Sequence, residues 1–359
     1  MNDVLLTVSG TIDPEVEAKI ARGERPETDY VAMAREFPAD LLDYTQARRL
    51  TGAFGRLLEK IGGPNLVLAW ACFTLRRRYR VIFTDGEQVG LPLALLVKFL
   101  NFGPRPRHLM IVHILSVGKK MIFLDWFRLQ SHIDLFFVYA AWQKQFIEQR
   151  WRVPGGRVVL TPFMVDDTFF APAEAGKIDD LLGLNGQNKP IICAVGLEFR
   201  DYPTLMQAVR GLDVQVVIAA ASPWSKREDT TADQEIPDNV LVRRFTQYEL
   251  RELYAQSAFL VMPLYNVNFQ AGVTALLEAM AMEKAVICSR TPGQTDVVVE
   301  GETGIYVPPE EPAALRTAIE DLLGRPDEAR RLGVNGRARI AAMMNLIHYA
   351  NRLAAYVKN

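Results

Sequence analysis

Short apolar runs alternate along this chain with segments in which apolar residues recur at every third or fourth position. The short runs are typical of buried parallel strands, and the longer periodic segments are typical of amphipathic helices. Strands are predicted at 4–10, 39–44, 81–84, 109–115, 133–140, 157–160, 191–196, 214–221, 240–245, 259–263 and 285–289. Strands and helices that alternate in this way predict an α/β protein built on doubly wound parallel sheets.

Helices are predicted between most of these strands, and three more follow the last strand. They cover 66–75, 91–100, 119–129, 143–150, 203–211, 248–257, 272–283, 312–323, 326–341 and 344–357. The length of 359 residues exceeds what a single core usually supports, so we expect two domains. Residues 176–190, rich in Gly, Asn, Asp and Lys, are predicted to be the linker between them.

One strand–loop–helix unit carries the strongest indication of a binding site. An apolar strand ends near Leu264, a polar loop follows, and a helical pattern begins at Gly272. The unpaired amides of residues 271–274 would point out of the helix N-terminus, which is a favourable place for an anion. Glu278 interrupts the apolar surface of this helix. The pattern therefore predicts an anion site with a carboxylate one to two turns behind it.

Gln270-Ala271-Gly272-Val273 is followed at a fixed spacing by Glu278-Ala279-Met280-Ala281. This motif resembles the Glu-x7-Glu pair of the retaining GT-B glycosyltransferases of family 4 and keeps its spacing, although the first carboxylate of the pair is here an amide. The segment 300–309 is similar to the family's Glu-Gly-x-Thr-Gly-x-x-Val-Pro motif. The resemblance implies a GT-B fold, in which two Rossmann-like domains face a cleft. It implies an acceptor domain at 1–168, a donor domain at 169–341, and a terminal helix at 342–359 that returns to the first domain.

The same resemblance implies roles for individual residues. Glu278 would bind the donor ribose, Gln270 would lie beside the sugar ring, and the amides of Ala271, Gly272, Val273 and Thr274 would face the diphosphate. His113, at the end of an apolar run, aligns with the family histidine that contacts the donor sugar. The alternative for His113 is a hydrogen-bonded core histidine.

The donor-binding cations of the family are only partly present. The family's arginine position after the first strand of the second domain is Leu197 here, which leaves Arg200 as the candidate cation for the diphosphate. A surface arginine in a loop is the alternative interpretation of Arg200.

These residues lead to the hypothesis of a metal-independent retaining glycosyltransferase. It would transfer a hexose from a UDP- or GDP-type sugar to a lipid or glycan acceptor, without a cofactor or a metal site. A non-catalytic sugar-nucleotide-binding partner and, less favoured, a nucleotide-sugar epimerase are the alternatives. Dinucleotide enzymes are disfavoured because no GxGxxG motif follows any predicted strand. Nothing in the pattern indicates a nucleic-acid partner.

Charge is unevenly distributed along the chain. Residues 48–157 hold 18 Lys and Arg against 6 Asp and Glu, although the whole chain has a formal net charge of −1. Within this basic part, 91–102 and 119–128 mix basic residues with Phe, Trp and Leu, a composition typical of interfacial helices. Three scattered cysteines and the lack of a signal-peptide pattern lead us to expect a cytoplasmic protein. An anionic membrane surface at its inner face is the expected partner of the basic part, and a solvated basic surface is the alternative.

Overall fold

The computed structural model describes residues 2–176, 178, 181–183, 189–220 and 236–358. The chain forms two compact units. The first unit holds the described residues of 1–18, 28–162 and 347–359, and the second holds those of 19–27 and 163–346. Part of the predicted linker 176–190, and the last residue of the predicted strand 214–221, lie outside the described residues.

The first unit is built on a six-stranded parallel sheet with strand order β2-β1-β3-β4-β5-β6. Its strands are β1 Val4–Thr7, β2 Ala39–Leu42, β3 Val81–Thr84, β4 Arg107–Val112, β5 Leu135–Val138 and β6 Val158–Leu160. The helices that begin before residue 160 are α1 Val16–Ala21, α2 Asp29–Glu36, α3 Tyr44–Leu75, α4 Glu87–Leu100, α5 Gly118–Asp125 and α6 Ala141–Trp151. The long helix α3 is interrupted at Gly52 and Gly63, where φ is positive.

The second unit repeats this plan in strand order β12-β11-β10-β7-β8-β9, again all parallel. The strands are β7 Ile191–Val195, β8 Gln215–Ala219, β9 Val240–Arg243, β10 Phe259–Met262, β11 Ala285–Ser289 and β12 Gly304–Val307. The remaining helices are α7 Tyr202–Val209, α8 Gln247–Gln256, α9 Val273–Ala281, α10 Pro312–Leu323, α11 Pro326–Arg339 and α12 Leu346–Lys358, the last of which lies almost wholly in the first unit.

Both faces of the second sheet are covered, which explains why its strands are continuous apolar runs. In β7, Cys193 and Val195 belong to one buried cluster, whereas Ile192 and Ala194 belong to another on the opposite face. This period-two division is what a strand buried on both sides requires. The predicted α/β class with two parallel sheets is confirmed.

Residues 19–27 of the predicted first domain belong to the second unit, so the chain first passes between the units on either side of this segment. Its later passages are at residues 162–163 and 346–347, whereas the sequence placed them at 168–169 and 341–342. Local pairing accounts for the difference. The Val165 amide donates to the Met344 carbonyl at 3.0 Å, and the Leu346 amide donates to the Val165 carbonyl at 3.0 Å. These two hydrogen bonds keep Val165, Met344 and Leu346 together within the second unit, so both passages lie beyond these residues.

Strand β12 was not predicted, because its residues were interpreted only as part of a motif. The glycine of that motif has a packing role: Gly304 pairs with Val286 of β11, and a Cβ at Gly304 would lie 2.5 Å from the Val286 carbonyl oxygen. A side chain at Gly304 would therefore require the two strands to separate.

Gly304→Ala should destabilise the protein by about 1–3 kcal/mol, the usual cost of forcing an extra carbon into a packed site. Urea unfolding followed by circular dichroism measures this as a lower midpoint. Gly324→Ala is the matched control, because a Cβ there meets its nearest atom, the Glu320 carbonyl oxygen, at an acceptable 3.4 Å. Equal midpoints for the two variants would contradict the packing role of Gly304.

Candidate functional site

The loop between β10 and α9 ends at Gly272, which has a φ of 77° and is the N-cap of the helix. The first intrahelical bond runs from the Leu276 amide to the Gly272 carbonyl, so the amides of Val273, Thr274 and Ala275 have no acceptor within the helix. The predicted set of free amides, those of residues 271–274, differs from the observed set by one residue at each end. The Ala271 amide donates to the Phe269 carbonyl at 2.8 Å, whereas the Ala275 amide, which was not predicted, is unpaired within the helix.

Arg200 lies directly against the start of this helix. A Cβ at Gly272 would be 3.1 Å from the Arg200 Cζ atom, and a Cβ at Gly196 would overlap the same guanidinium group. The two glycines therefore leave the space that the arginine occupies. Arg200 is 6% exposed, so it is not the surface arginine of the alternative interpretation.

The hydrogen bonds of Arg200 go to backbone carbonyls. Nε donates to Val195 at 2.9 Å and Nη1 donates to Glu198 at 2.7 Å. Among the described residues, no carboxylate lies within ion-pair distance of the guanidinium. Burial lowers the pKa of Arg200 from its ordinary value, but an arginine remains protonated at neutral pH. The second unit thus contains a buried cation and a helix N-terminus side by side.

Leu197, at the family's arginine position, has a structural role in this chain. Its side chain is partly buried and packs against the apolar cluster on the opposite face of the sheet from α9. An arginine at that position could not make the same apolar contact.

Glu278 is buried on α9, with 7% of its surface exposed. The hydroxyl of Tyr254, a fully buried residue of α8, donates to Glu278 Oε2 at 2.8 Å. Burial raises the pKa of Glu278 to about 7, against the smaller opposite effect of this hydrogen bond. The sequence located the carboxylate but missed its tyrosine partner, which lies 24 residues away on another helix.

Gln270 is half-buried in the loop before α9. The backbone of the next residue, Ala271, is held by a buried side chain. The side-chain amide of the fully buried Gln294 donates to the Ala271 carbonyl. Sequence reasoning missed Gln294, and the only local signal for it is the turn-forming pair Pro292-Gly293 before it. Gln294 therefore fixes the backbone beside Gln270.

His113 lies in the first unit and follows the carboxyl end of β4 directly. Its side chain is exposed, which excludes the alternative of a core histidine. Ring atom Nε2 is 2.9 Å from the Asp85 carbonyl oxygen, and the ring faces Tyr139 at a centroid distance of 5.6 Å. The structure therefore groups Arg200, the amides and Glu278 in the second unit, and places His113 at a strand end of the first.

Two carboxylates near His113 were not singled out from the sequence. Asp85 accepts hydrogen bonds from the Thr7 hydroxyl at 2.6 Å and from the Ser9 hydroxyl at 2.9 Å. Burial raises the pKa of Asp85 and also that of Asp29, and the charges of Asp85 and His113 act on Asp29. Hydroxyl and carboxylate groups thus surround the strand ends of the first unit.

The described part of the chain contains no group of three or more His, Cys, Asp or Glu residues arranged to hold a metal ion. Within the same residues, no helix is both long enough and apolar enough to cross a lipid bilayer.

Comparisons with known proteins identify sequences and structures that are similar to this chain. Residues 186–339 match the family model described as "Glycosyl transferases group 1". An alpha-maltose-1-phosphate synthase of Mycolicibacterium smegmatis is 30% identical over 208 residues, which are 52% of this chain and 53% of that protein. The chain therefore spans only about half the length of this curated relative.

Solved structures resemble the whole chain. A sucrose-phosphate synthase from Thermosynechococcus elongatus has a TM-score of 0.73 at 20% identity, covering 100% of this chain and 98% of that one. Anabaena Alr3699/HepE, solved in complex with UDP-glucose, has a TM-score of 0.70 at 12% identity, covering 100% and 99%. At these identities the likeness shows the fold alone. The chain has the GT-B fold, and its residues 186–339 match the glycosyl transferases group 1 family.

Proposed function

We propose that this protein is a retaining, metal-independent glycosyltransferase that transfers a hexose from a nucleotide-diphosphate sugar to a lipid or glycan acceptor. The observation that carries the proposal is Arg200, a buried guanidinium at the N-terminus of α9 that has no carboxylate partner among the described residues. A buried charge is costly unless it is paired, so this position favours an anionic ligand.

A nucleoside diphosphate fits the charge of this site. When the bond to the anomeric carbon breaks, negative charge develops on the leaving phosphate, and fixed donors lower the barrier. Arg200 supplies a full positive charge, and the amides of Val273 and Thr274 add the positive end of the helix dipole. These groups stabilise the leaving diphosphate without requiring a metal ion.

The remaining roles follow the family resemblance. Glu278 accepts hydrogen bonds from the ribose hydroxyls, His113 contacts the sugar, and Gln270 lies beside the sugar ring as a neutral donor and acceptor. A front-face displacement guided by the leaving phosphate needs no protein nucleophile, so the amide at Gln270 is compatible with transfer. UDP is our first choice of nucleotide because Anabaena HepE was solved with UDP-glucose.

The proposal is tested by measuring thermal shifts with UDP-, GDP- and ADP-sugars, followed by assays for transfer. A ligand at a hundred times its Kd adds about 2.7 kcal/mol of stability, so a true donor raises Tm clearly. Arg200→Met should weaken binding of the nucleoside diphosphate about 10- to 100-fold, as expected for lost charged hydrogen bonds. Arg290→Met is the control, because that arginine is exposed and paired with Glu300.

Each result of this test separates the alternatives. Transfer to an acceptor supports the proposal, whereas donor binding without turnover supports a non-catalytic binder. Donor that isomerises without an acceptor indicates an epimerase. If no nucleotide sugar raises Tm, and Arg200→Met matches its control, the donor site is wrong.

Nucleotide binding should strengthen as the pH rises from 6 to 8. The pKa of Glu278 in the free protein is raised to about 7, and the ionised carboxylate is the better acceptor for ribose hydroxyls. Glu278→Gln should remove this pH dependence and cost about 1.5–3 kcal/mol of binding free energy at pH 8. Calorimetry at several pH values measures both effects, with Glu320→Gln on the exposed face of α10 as the control.

The stability of the free protein should change in the opposite direction. Because the folded-state pKa of Glu278 lies above its unfolded value of about 4.3, the stabilisation it provides is complete below pH 4 and is lost as the pH rises through 7. As the pH rises from 5 to 8, the free energy of unfolding of Glu278→Gln should therefore increase relative to that of the parent. A pH-independent difference in both stability and affinity would rule out titration of Glu278.

We also propose an anionic membrane surface as a partner of the first unit. The two aromatic stretches of the sequence form one patch, defined here as the lipid-facing patch. Its exposed members are Phe99, Leu100 and Phe102 at the end of α4, and Ile122, Trp126 and Phe127 at the end of α5. The Phe99 and Phe127 rings meet edge to face at 6.3 Å, and Lys98 Nζ donates to the Phe127 carbonyl at 2.7 Å.

Basic residues adjoin the lipid-facing patch. Arg76 Nε donates to the Asn101 side chain at 2.7 Å, which brings the segment Arg76–Arg78 to the end of α4. Phe102 is 84% exposed and Trp126 is 81% exposed. Exposed aromatic side chains beside arginines suit the headgroup region of an anionic bilayer.

In low salt the protein should float with vesicles of phosphatidylcholine and phosphatidylserine. In high salt most of the protein should dissociate from the vesicles. Each basic residue near such a surface contributes about 1 kcal/mol, and salt screens this term. Charge reversal of Arg77 and Arg78 should remove the salt-sensitive part of vesicle binding. The double substitution Trp126→Ser and Phe102→Ser should remove the part that persists in high salt. Charge reversal of Arg325 and Arg330, two exposed arginines of the second unit, is the control. Absence of flotation at low salt would favour a soluble acceptor.

A further inference from the structure

A buried carboxylate beside His113 has no role in the reaction described so far. Glu87 is the first residue of α4, directly after the loop that leaves β3, and only 1% of its surface is exposed. We propose that Glu87 is the positioning residue for His113, and that Lys120 holds Glu87 in its active arrangement. This inference rests on the proposed function, because it assigns to His113 a contact with the donor sugar.

Glu87 binds the backbone on which the histidine is mounted. Its Oε2 accepts the His113 amide at 2.8 Å, and its Oε1 accepts the Ile114 amide at 3.2 Å. Strands β3 and β4 are neighbours in the parallel sheet, so a side chain that leaves the end of β3 can reach the end of β4. One carboxylate thus fixes two successive peptide groups at the point where β4 ends.

The other side of the same peptide segment is also held. The Gln143 side chain, from α6, donates to the His113 carbonyl. With its amide on Glu87 and its carbonyl on Gln143, the His113 backbone has little freedom to rotate. The direction of its Cα–Cβ bond is therefore set by two residues that are both at least nine-tenths buried.

The charge of Glu87 is maintained by its surroundings. Lys120 Nζ lies 2.5 Å from Oε1, and Lys120 belongs to α5 rather than to the elements that carry Glu87 or His113. Burial alone would raise the pKa of Glu87. The charge of His113 when its ring is protonated, the charge of Lys120, and the hydrogen bonds from Lys120 and the His113 amide together hold that pKa below its ordinary value. The carboxylate is therefore ionised at neutral pH and accepts strong hydrogen bonds.

This arrangement also assigns a tautomer to the His113 ring. The Asp85 carbonyl at 2.9 Å from Nε2 can only accept, so Nε2 carries the proton. In the neutral ring, Nδ1 is then a hydrogen-bond acceptor, which suits a sugar hydroxyl. Without Glu87 to fix the backbone, the His113 ring would no longer be held at hydrogen-bonding distance from the Asp85 carbonyl. The proton of the neutral ring would then no longer be confined to Nε2.

A purely structural role for Glu87 predicts a different outcome from a positioning role. Loss of a structural ion pair lowers stability without changing the state of one particular ring. A positioning role changes the His113 ring in a protein that still folds. The chain contains only four histidines, so each imidazole can be followed separately by NMR in the intact protein.

The experiment compares Glu87→Gln and Lys120→Met with a matched pair of controls, Glu148→Gln and Lys144→Met. The control residues form an ion pair of 3.9 Å within α6, and neither hydrogen-bonds to His113. Imidazole proton–nitrogen correlations are recorded on uniformly labelled protein, with His113→Gln to assign the resonance. UDP binding is measured on every variant as a check that the second unit remains folded.

We expect the parent and both controls to show His113 with the proton on Nε2. In Glu87→Gln and Lys120→Met the His113 nitrogen shifts should move toward those of mixed tautomers. Turnover of the nucleotide sugar identified in the thermal-shift panel should fall about 100-fold, the scale of a 1 Å misplacement, while the Kd for UDP changes less than twofold.

Unchanged His113 shifts in both variants would overturn the inference, whatever their activity. If Glu87→Gln fails to fold, Lys120→Met alone decides, because it leaves the carboxylate in place and removes only its cation. If the parent turns over no nucleotide sugar, the proposed function fails, but the NMR comparison still decides whether Glu87 positions the ring.

Discussion

The proposed donor site depends on a buried positive charge that has no carboxylate partner among the described residues. Arg200 is surrounded by carbonyl oxygens and stands at the N-terminus of α9, which is itself electropositive. Two positive groups side by side, with no carboxylate of the described residues between them, repel each other. In the proposed function a diphosphate relieves that repulsion, so binding energy becomes available where the leaving charge would develop. A Cβ at Gly196 would overlap the guanidinium, and a Cβ at Gly272 would meet Met262 Sδ at 2.7 Å and crowd the guanidinium at 3.1 Å, so both positions favour glycine.

Neighbouring charges and hydrogen bonds distinguish the buried carboxylates Glu87 and Glu278. Glu87 receives two backbone amides and a lysine ammonium, and the surroundings keep its pKa low. Glu278 has one tyrosine hydroxyl, and burial raises its pKa to about 7. A saturated carboxylate has little capacity left for a ligand and acts through the groups it holds. A poorly saturated one gains hydrogen bonds when a ligand with hydroxyl groups arrives, which is the behaviour proposed for Glu278.

Much of the fold could be predicted from the sequence, because both sheets are buried on two faces and their strands are continuous apolar runs. The loop–helix unit was equally visible, since Gly272 and Glu278 lie close together in sequence. The partners of the site residues were not visible. Tyr254 reaches Glu278 across 24 residues, and Lys120 reaches Glu87 across 33. Composition grouped Lys120 with the membrane-facing residues, whereas its Nζ atom is in fact bound to a buried carboxylate. Periodicity locates helices, but it does not determine which side chains meet across a sheet.

The two departures from the family pattern have opposite charge. The family resemblance leads us to expect an arginine at Leu197 and a glutamate at Gln270, and this chain has neither. Loss of a cation alone would weaken the hold on a diphosphate, and loss of a carboxylate alone would leave the site too positive. Together the two changes leave the net charge of the site as it is in the family. Leu197 packs against the core, so its replacement is also structurally accommodated. This balance is what a site that still binds a diphosphate requires, so it is compatible with the catalytic proposal.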